Sequence, residues 1–355
     1  MNKFLTPKNF TCQWHITERC NWHCKHCYQS EHPVPDLSLE QLFSILDQFL
    51  FLLKKWELPP GQARLNITGG EPFVRKDFFQ FLERVSATAI SYGYTWGLLS
   101  NGSLLDEEKI FELKKLGIDR FQVSLEGMKK NTDEIMGRGA FEKVIKAIKL
   151  LVKANIPTRI SFTLTKKNMN DVPKLVKLCE KLGVVALGTR RLIPWGRGKE
   201  LQEYMLQPEE LRNFYLKVKE INKRRKKTRV VIGCESAIFN EEILADPLSN
   251  MQINFCGVTQ GRALTIMANG DILPCRRLPI VVGNALSDNL YDIWYSKPMR
   301  DLRNLDKLSP FCQKCPNFSN CFAGGRCVTY AYTGKVDLPD VQCWRAYKKL
   351  GQPLF

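Results

Sequence analysis

Six times in its first two-thirds the chain repeats one unit, a short run of β-type residues, a loop and then an amphipathic helical stretch. The β-type runs fall at 12–17, 64–68, 95–100, 120–125, 158–164 and 184–191, with a weaker one at 229–233. Helical periodicity fills 39–56, 77–90, 106–116, 141–154, 172–182 and 208–225. Ser38 suits the N-cap of the first helix and Asp106 leads the third, while Gly117 and Gly183 stand where helices stop. Strands that alternate with helices pair in parallel, through right-handed crossovers. A full eight-unit barrel takes about 250 residues, and six units fit the roughly 220 available here. The expected fold is therefore α/β, an open, partial (β/α)6 TIM-like barrel over residues 1–233.

From Cys234 the texture changes. Helical periodicity weakens, Gly, Pro and Asn rise, and eight of the 13 cysteines fall in the last 122 residues. This predicts a small, cysteine-rich second domain over 234–355, to whose folding bound metal contributes directly. Residues 1–11 lack the apolar core of a signal peptide. The uncharged stretch 86–105 is broken by Gly and Ser, and the apolar run 49–53 is far too short to span a bilayer. The expectation is a cytoplasmic protein with no membrane partner. Its cysteines then serve as thiolate ligands rather than disulfides.

The stretch Glu18 to Gln29 reads ERCNWHCKHCYQ. Cys20, Cys24 and Cys27 are separated by three residues and then two, directly after the first β-type run. In a barrel that position belongs to the catalytic rim. Three thiolates on one loop can hold three irons of a cubane and leave the fourth open to a ligand. The alternative is a structural zinc, completed by His23 or His26. Further rim loops follow the next strands. Gly69, Gly70, Glu71 and Pro72 combine a backbone that a ligand can approach closely with a carboxylate that can accept from an ammonium group. Ser100-Asn101-Gly102 and Ser124-Leu125-Glu126-Gly127 offer groups suited to a ribose, although each alone is a common loop sequence.

Cys20, Cys24 and Cys27 followed by GGEP at 69–72 resemble the radical S-adenosylmethionine (SAM) superfamily along the whole chain. The resemblance implies a [4Fe–4S] cluster on these three cysteines, with SAM chelating the open iron. One electron would cleave SAM to methionine and a 5′-deoxyadenosyl radical that abstracts hydrogen. It also implies an electron donor such as ferredoxin or flavodoxin. By motif, Gly69, Gly70 and Glu71 would contact the methionine part, Ser124 and Glu126 the ribose, and His26 the adenine.

The second cysteine set runs Cys256, Cys275, Cys312, Cys315, Cys321, Cys327 and Cys343. The segment LTIMANGDILP at 264–274 reads as a β-hairpin turning at Asn269-Gly270. Zinc is again the simpler occupant, since Cys312 and Cys315 are spaced like a zinc knuckle. The spacing resembles the SPASM extension of radical SAM enzymes, which carries two auxiliary [4Fe–4S] clusters. That pattern would assign Cys312, Cys315, Cys321 and Cys343 to one cluster and Cys256, Cys275 and Cys327 to the other. Five residues rather than three separate Cys321 from Cys327, and Cys234 is the candidate fourth ligand of the inner cluster. Cys12 and Cys179 lie outside both patterns and read as core.

SPASM enzymes mostly modify peptides, by crosslinking, epimerisation or oxidation, and a ribosomally made peptide is the expected substrate. Sulfatase-maturating enzymes carry Asp directly after the cysteine that matches Cys275; here Arg276 stands there, which disfavours that activity. Nineteen residues precede Cys20, leaving no room for a fused peptide-recognition domain, so a leader peptide would need a separate partner protein or direct barrel contacts. The arginines of the 190–198 loop suit the SAM carboxylate or an acidic substrate, or are simply solvated. One alternative is radical modification of a small molecule such as a haem precursor. Another is a zinc-stapled nucleic-acid-binding protein using the net charge of +17. The basic run 223–227 has no interleaved aromatics for base stacking, which counts against nucleic acid as a partner.

Overall fold

The computed structural model describes residues 6–29, 34–223, 227–233, 251–253 and 256–350, and Cys234 lies outside them. Seven strands carry the repeat: β1 (Phe10–His15), β2 (Ala63–Thr68), β3 (Thr95–Ser100), β4 (Arg120–Ser124), β5 (Thr158–Leu164), β6 (Ala186–Arg191) and β7 (Arg229–Ile232). They pair in parallel and in sequence order, as expected for β-α units. Helix α1 (Leu39–Trp56) spans the predicted interval. The Ser38 hydroxyl accepts from the Gln41 N–H, and the Gln41 side chain accepts from the Ser38 N–H. Its buried face, including Leu42, Ile45, Leu46, Phe49 and Leu53, follows the helical spacing and packs on the sheet.

The helices α2 (Phe78–Tyr92), α3 (Glu107–Lys115), α5 (Ala140–Lys153), α6 (Val172–Leu182) and α7 (Pro208–Lys223) match the other predicted stretches within a few residues. Within the barrel one helix, α4 (Lys129–Met136), was not expected. It has only eight residues and buries only Thr132, Ile135 and Met136, too few to display a period.

The sheet does not end at residue 233. Strand β8 (Met251–Ile253) pairs parallel to β7, and β9 (Ala263–Ile266) pairs parallel to β1. The expected hairpin is present. Strand β10 (Asp271–Leu273) returns antiparallel to β9 through a turn with Gly270 at φ +85°, and β11 (Gly283–Asn284) follows it. The hairpin predicted for the second domain thus covers the open edge of β1, which would otherwise present unpaired backbone. Among the described residues the result is an eleven-stranded sheet whose edge strands are β11 and β8. Cys12 and Cys179 are fully buried core residues.

The strands alternate in polarity. On β2, β4 and β5 the helix side carries Leu65 and Ile67, Phe121 and Val123, and Ile160 and Phe162, all buried. The concave side carries Arg64 and Asn66, Arg120 and Gln122, and Arg159, Ser161 and Thr163, which line a cavity. A parallel sheet covered on both faces has apolar runs; here one face lines an open lumen.

A buried ion pair ties β6 to the cysteine-rich region. The Arg191 guanidinium donates to both Asp340 oxygens, at 3.0 and 2.7 Å, and to Gln342 Oε1 at 2.8 Å. Gln342 in turn donates to the Leu206 carbonyl at 2.6 Å. Removing one member of such a pair strands a buried charge, so Asp340→Ala should cost about 3–5 kcal/mol of stability. Asp47→Ala, which breaks an exposed pair with Arg84, should cost less than about 1 kcal/mol. Urea unfolding of the anaerobically purified holoprotein measures both.

Candidate functional site

Cys20, Cys24 and Cys27 follow β1 and face one cavity of about 190 Å³ at the C-terminal ends of β1 to β5. The loop's base is fixed by backbone. Gly70 N–H donates to the Thr17 carbonyl at 2.8 Å and Glu71 N–H to the Arg19 carbonyl at 2.9 Å. A Cβ on Gly69 would stand 2.5 Å from the Thr17 carbonyl oxygen, and one on Gly70 would stand 2.2 Å from that of Arg19. The close approach that these glycines permit is therefore to the chain's own cysteine loop, although both also line the cavity. The unexpected helix α4 seats the other side. Lys25 N–H donates to the Ile135 carbonyl at 2.9 Å, and Trp22 and Cys24 pack against Ile135, Met136 and Ala140. From the loop after β6, Arg197 donates to the Cys24 carbonyl at 3.0 Å and Gly198 N–H to that of Cys27 at 3.3 Å. Arg191 is held by Asp340, and Arg190 lines the lumen.

Glu71 differs from its expected role. It is fully buried, and its oxygens accept from the Ser100 hydroxyl at 2.9 and 3.0 Å, from the Asn101 N–H at 2.8 Å and from the Phe73 N–H at 3.3 Å. It is not on the cavity wall, so it joins loops rather than presenting a carboxylate to an ammonium group. Burial raises its pKa to about 7, against these hydrogen bonds. Asn101 then donates to the Asn21 side chain at 2.9 Å, reaching back into the cysteine loop.

Ser124, Glu126 and His26 line the cavity. Glu126 is buried; one oxygen accepts from the Thr163 N–H at 2.6 Å and the other lies 3.4 Å from His26 Nε2. Burial raises the Glu126 pKa, opposed first by His26. His26 Nδ1 is buried without a protein partner.

Several wall residues escaped the sequence reading. His15, at the end of β1, is buried, with Nε2 3.0 Å from the Gln13 amide nitrogen and Nδ1 unpartnered. Burial, and then the charge of Arg276, holds its pKa well below the usual histidine range. Arg276 lies over the Tyr28 ring, 4.5 Å from its centroid, and donates to the Tyr28 carbonyl at 3.2 Å. The alternation of apolar and polar residues in β2, β4 and β5 was the signal that could have found the wall.

The C-terminal cysteines gather in two groups. Cys312, Cys315, Cys321 and Cys343 line one small apolar cavity with Phe311, Phe318, Ala323 and Asp340. Cys256, Cys275 and Cys327 pack together around Val258, Leu278 and Leu302. Cys234, the expected additional ligand, lies outside the described residues.

The donor chemistry fits iron–sulfur clusters. Burial, and then the neighbouring Cys27 and Cys20, drives the Cys24 thiol strongly upward, and burial followed by Cys343 pushes Cys312 up to about 12. Buried thiols that raise one another's pKa become thiolates only beside strong positive charge, and soft thiolate ligands select such centres. Among the described residues no three His, Cys, Asp or Glu side chains converge on a single-ion position. No helix among them is long and apolar enough to cross a membrane.

Residues 14–179 match the Radical SAM superfamily, and residues 256–316 match SPASM, an iron–sulfur cluster-binding domain. The AdoMet-dependent heme synthase of Methanosarcina barkeri (strain Fusaro / DSM 804) is 30% identical over 341 residues, covering 90% of this chain and 92% of that protein. The PqqA peptide cyclase of Granulibacter bethesdensis is 26% identical over 339 residues, 92% of this chain and 85% of that one. Streptococcus suis SuiB bound to S-adenosylmethionine has the same fold, with a TM-score of 0.72 at 19% identity over 95% of this chain and 77% of its own. So does anSMEcpe with bound AdoMet and the Cp18Cys peptide, with a TM-score of 0.73 at 18% identity over 96% and 95%. The chain belongs to the radical SAM superfamily and carries a SPASM-type iron–sulfur domain, and it is an enzyme with iron–sulfur clusters and S-adenosylmethionine as cofactors.

Proposed function

We propose that the chain abstracts a hydrogen atom from a ribosomal peptide held in the lumen between the Cys20–Cys27 loop and Cys275. The observation that carries this reading is continuity: Gln13, His26, Tyr28, Leu99, Gln122, Ser161 and Thr163 line both the cavity at the cysteine loop and the larger lumen beyond it. When bound, the cluster supplies one electron and S-adenosylmethionine the 5′-deoxyadenosyl carbon that takes the hydrogen atom. Cys20, Cys24 and Cys27 hold the cluster. Gly69 and Gly70 leave room beside it, and Ser124 and Glu126 offer a hydroxyl and a carboxylate to a ribose. His26, fixed between the second and third cysteines, offers a ring face or its unpartnered Nδ1 to an adenine. Cys312, Cys315, Cys321 and Cys343 hold one auxiliary cluster, and Cys256, Cys275 and Cys327 ligate another. Relatives that act on peptides, PqqA peptide cyclase among them, and SuiB bound to its precursor peptide SuiA support a peptide substrate. An external protein such as ferredoxin or flavodoxin supplies the electron.

A second reading, modification of a haem precursor, is supported by the heme synthase relative and by the arginines in the lumen.

Two experiments bear on these readings. Anaerobically reconstituted protein with dithionite should hold close to three clusters and release 5′-deoxyadenosine; zinc without iron and sulfide would end the radical reading. A neighbouring peptide co-expressed with the enzyme should lose two hydrogens by mass spectrometry if crosslinked or oxidised, or keep its mass but take up deuterium when the reaction runs in heavy water if epimerised. An unmodified peptide alongside a processed haem precursor would select the second reading.

Gly70→Ala tests the loop's seat separately. Its Cβ would meet the Arg19 backbone, so the variant should lose about one cluster's worth of iron and sulfide and nearly all 5′-deoxyadenosine release. The auxiliary clusters should remain, which iron and sulfide assays can count.

A further inference from the structure

Beyond the cysteine loop the lumen widens to a cavity of about 610 Å³. Arg64, Arg120, Arg159, Arg190, Arg262 and Arg277 all line it, and none of its described lining residues is Asp or Glu. Three of these arginines hold equivalent places: Arg64, Arg120 and Arg159 stand at the N-terminal ends of β2, β4 and β5, on the concave face. Arg64 has Asp119 at 3.2 Å. Arg120 donates to the neutral amide oxygen of Asn66 at 2.7 Å. Among the described residues no carboxylate stands within ion-pair distance of Arg120, Arg159 or Arg190.

Partly buried cations that face one another without anions are costly. Burial, followed by the charges of Arg64 and Arg159, pulls the Arg120 pKa down to about 9, and burial followed by Arg64 lowers that of Arg159. Both remain cationic at neutral pH, because an arginine in water has so high a starting value. The unmet demand is for anions, and the guanidinium fork matches a carboxylate bidentately.

We propose that the lumen is a carboxylate-binding site and that the substrate carries at least two carboxylates, which seat on Arg120, Arg159 and Arg190. This rests on the reading that substrate occupies the lumen. The spacing suits it: Arg159 and Thr163 lie on one strand, four residues or about 13 Å apart, and Thr163 lines the cavity at the cysteine loop. Arg190 pairs in register with Thr163 and so stands at the level of the cysteine loop. A substrate with one carboxylate on Arg120 and Arg159 and another on Arg190 therefore spans the lumen up to that loop. Acidic side chains of a peptide and the carboxylates of a tetrapyrrole share this chemistry.

The test uses the reconstituted holoenzyme with S-adenosylmethionine and two matched pairs of probes. One pair is coproporphyrin III, a tetracarboxylate, and its tetra-amide. The other is a decapeptide with two Glu flanking a Tyr and its Gln counterpart. Calorimetric titration should show one acid probe binding at least tenfold more tightly than its neutral partner, and the pair that discriminates identifies the source. Arg159→Gln and Arg190→Gln should each weaken that binding about tenfold, Arg159→Lys should restore part of it, and Arg84→Gln on the outer surface should bind as wild type. Cluster absorbance and circular dichroism establish that each variant is folded. Equal binding of acid and neutral probes, or wild-type affinity in both folded Gln variants, overturns the proposal. Release of 5′-deoxyadenosine by the wild-type enzyme reports on the radical reading independently.

Discussion

Between Thr17 and Arg19 the chain leaving β1 lies directly against the backbone of Gly69 and Gly70, and the cysteine loop is positioned by that contact. Any side chain at either glycine would enter the space of a carbonyl group. With the two strands locked there, the next residue extends the joint. Glu71 reaches Ser100 and Asn101 after β3, and Asn101 returns to Asn21 within the loop. Arg75 closes it from behind, donating to the carbonyls of Ile16 and Leu37, one on each flank of the cysteine segment. One short sequence after β2 thus fixes the loop to three consecutive strand ends. Three thiols must be held in a fixed relation if one cluster is to use all three, and backbone contacts do so with less freedom than side chains.

The second constraint is the polarity of the concave face. A packed barrel fills its interior with layers of branched apolar side chains. This sheet instead buries its apolar residues under the helices and turns amides, hydroxyls and guanidinium groups inward. The lumen is held open by what lines it, since arginines cannot collapse onto one another. The same openness requires support at the sheet's edges. The β9–β10 hairpin pairs with β1, and the buried Arg191–Asp340 pair anchors β6 to the segment that leads to Cys343. Cys275, just beyond that hairpin, is thereby placed on the lumen wall.

Much of the framework could be read in the sequence because it depends on local periodicity. Helices α1 and α6 have the predicted limits, and the β9–β10 turn falls at Asn269-Gly270. The grouping of Cys312, Cys315, Cys321 and Cys343 followed from a resemblance in spacing, and the structure gathers them in one cavity. What escaped depends on contacts between distant segments. Helix α4 is short and mostly polar, yet it seats Cys24. The motif at 69–71 suggested close approach by a ligand; the fold adds that Thr17–Arg19 of the cysteine loop also approaches it, which no local pattern shows. Arg190 and Arg191 are adjacent and chemically identical and both reach the lumen wall, but only Arg191 is paired with a buried carboxylate, Asp340.

Charge is distributed along the lumen rather than merely in excess. At the mouth stand three thiols, the Glu126 carboxylate and Arg197, with Arg190 in register with Thr163 beside them; about four residues down the strands, or roughly 13 Å, stand Arg64, Arg120 and Arg159. A sulfonium cofactor is cationic and is favoured at the mouth, where thiolates and a carboxylate would surround it. The same field repels it from the far end. An anionic group experiences the reverse. Arg276 belongs to the same pattern. It occupies the place after Cys275 with a cation over the Tyr28 ring and helps keep His15 neutral. None of the described residues lining the larger lumen is Asp or Glu, so no side-chain carboxylate there competes with a substrate's own.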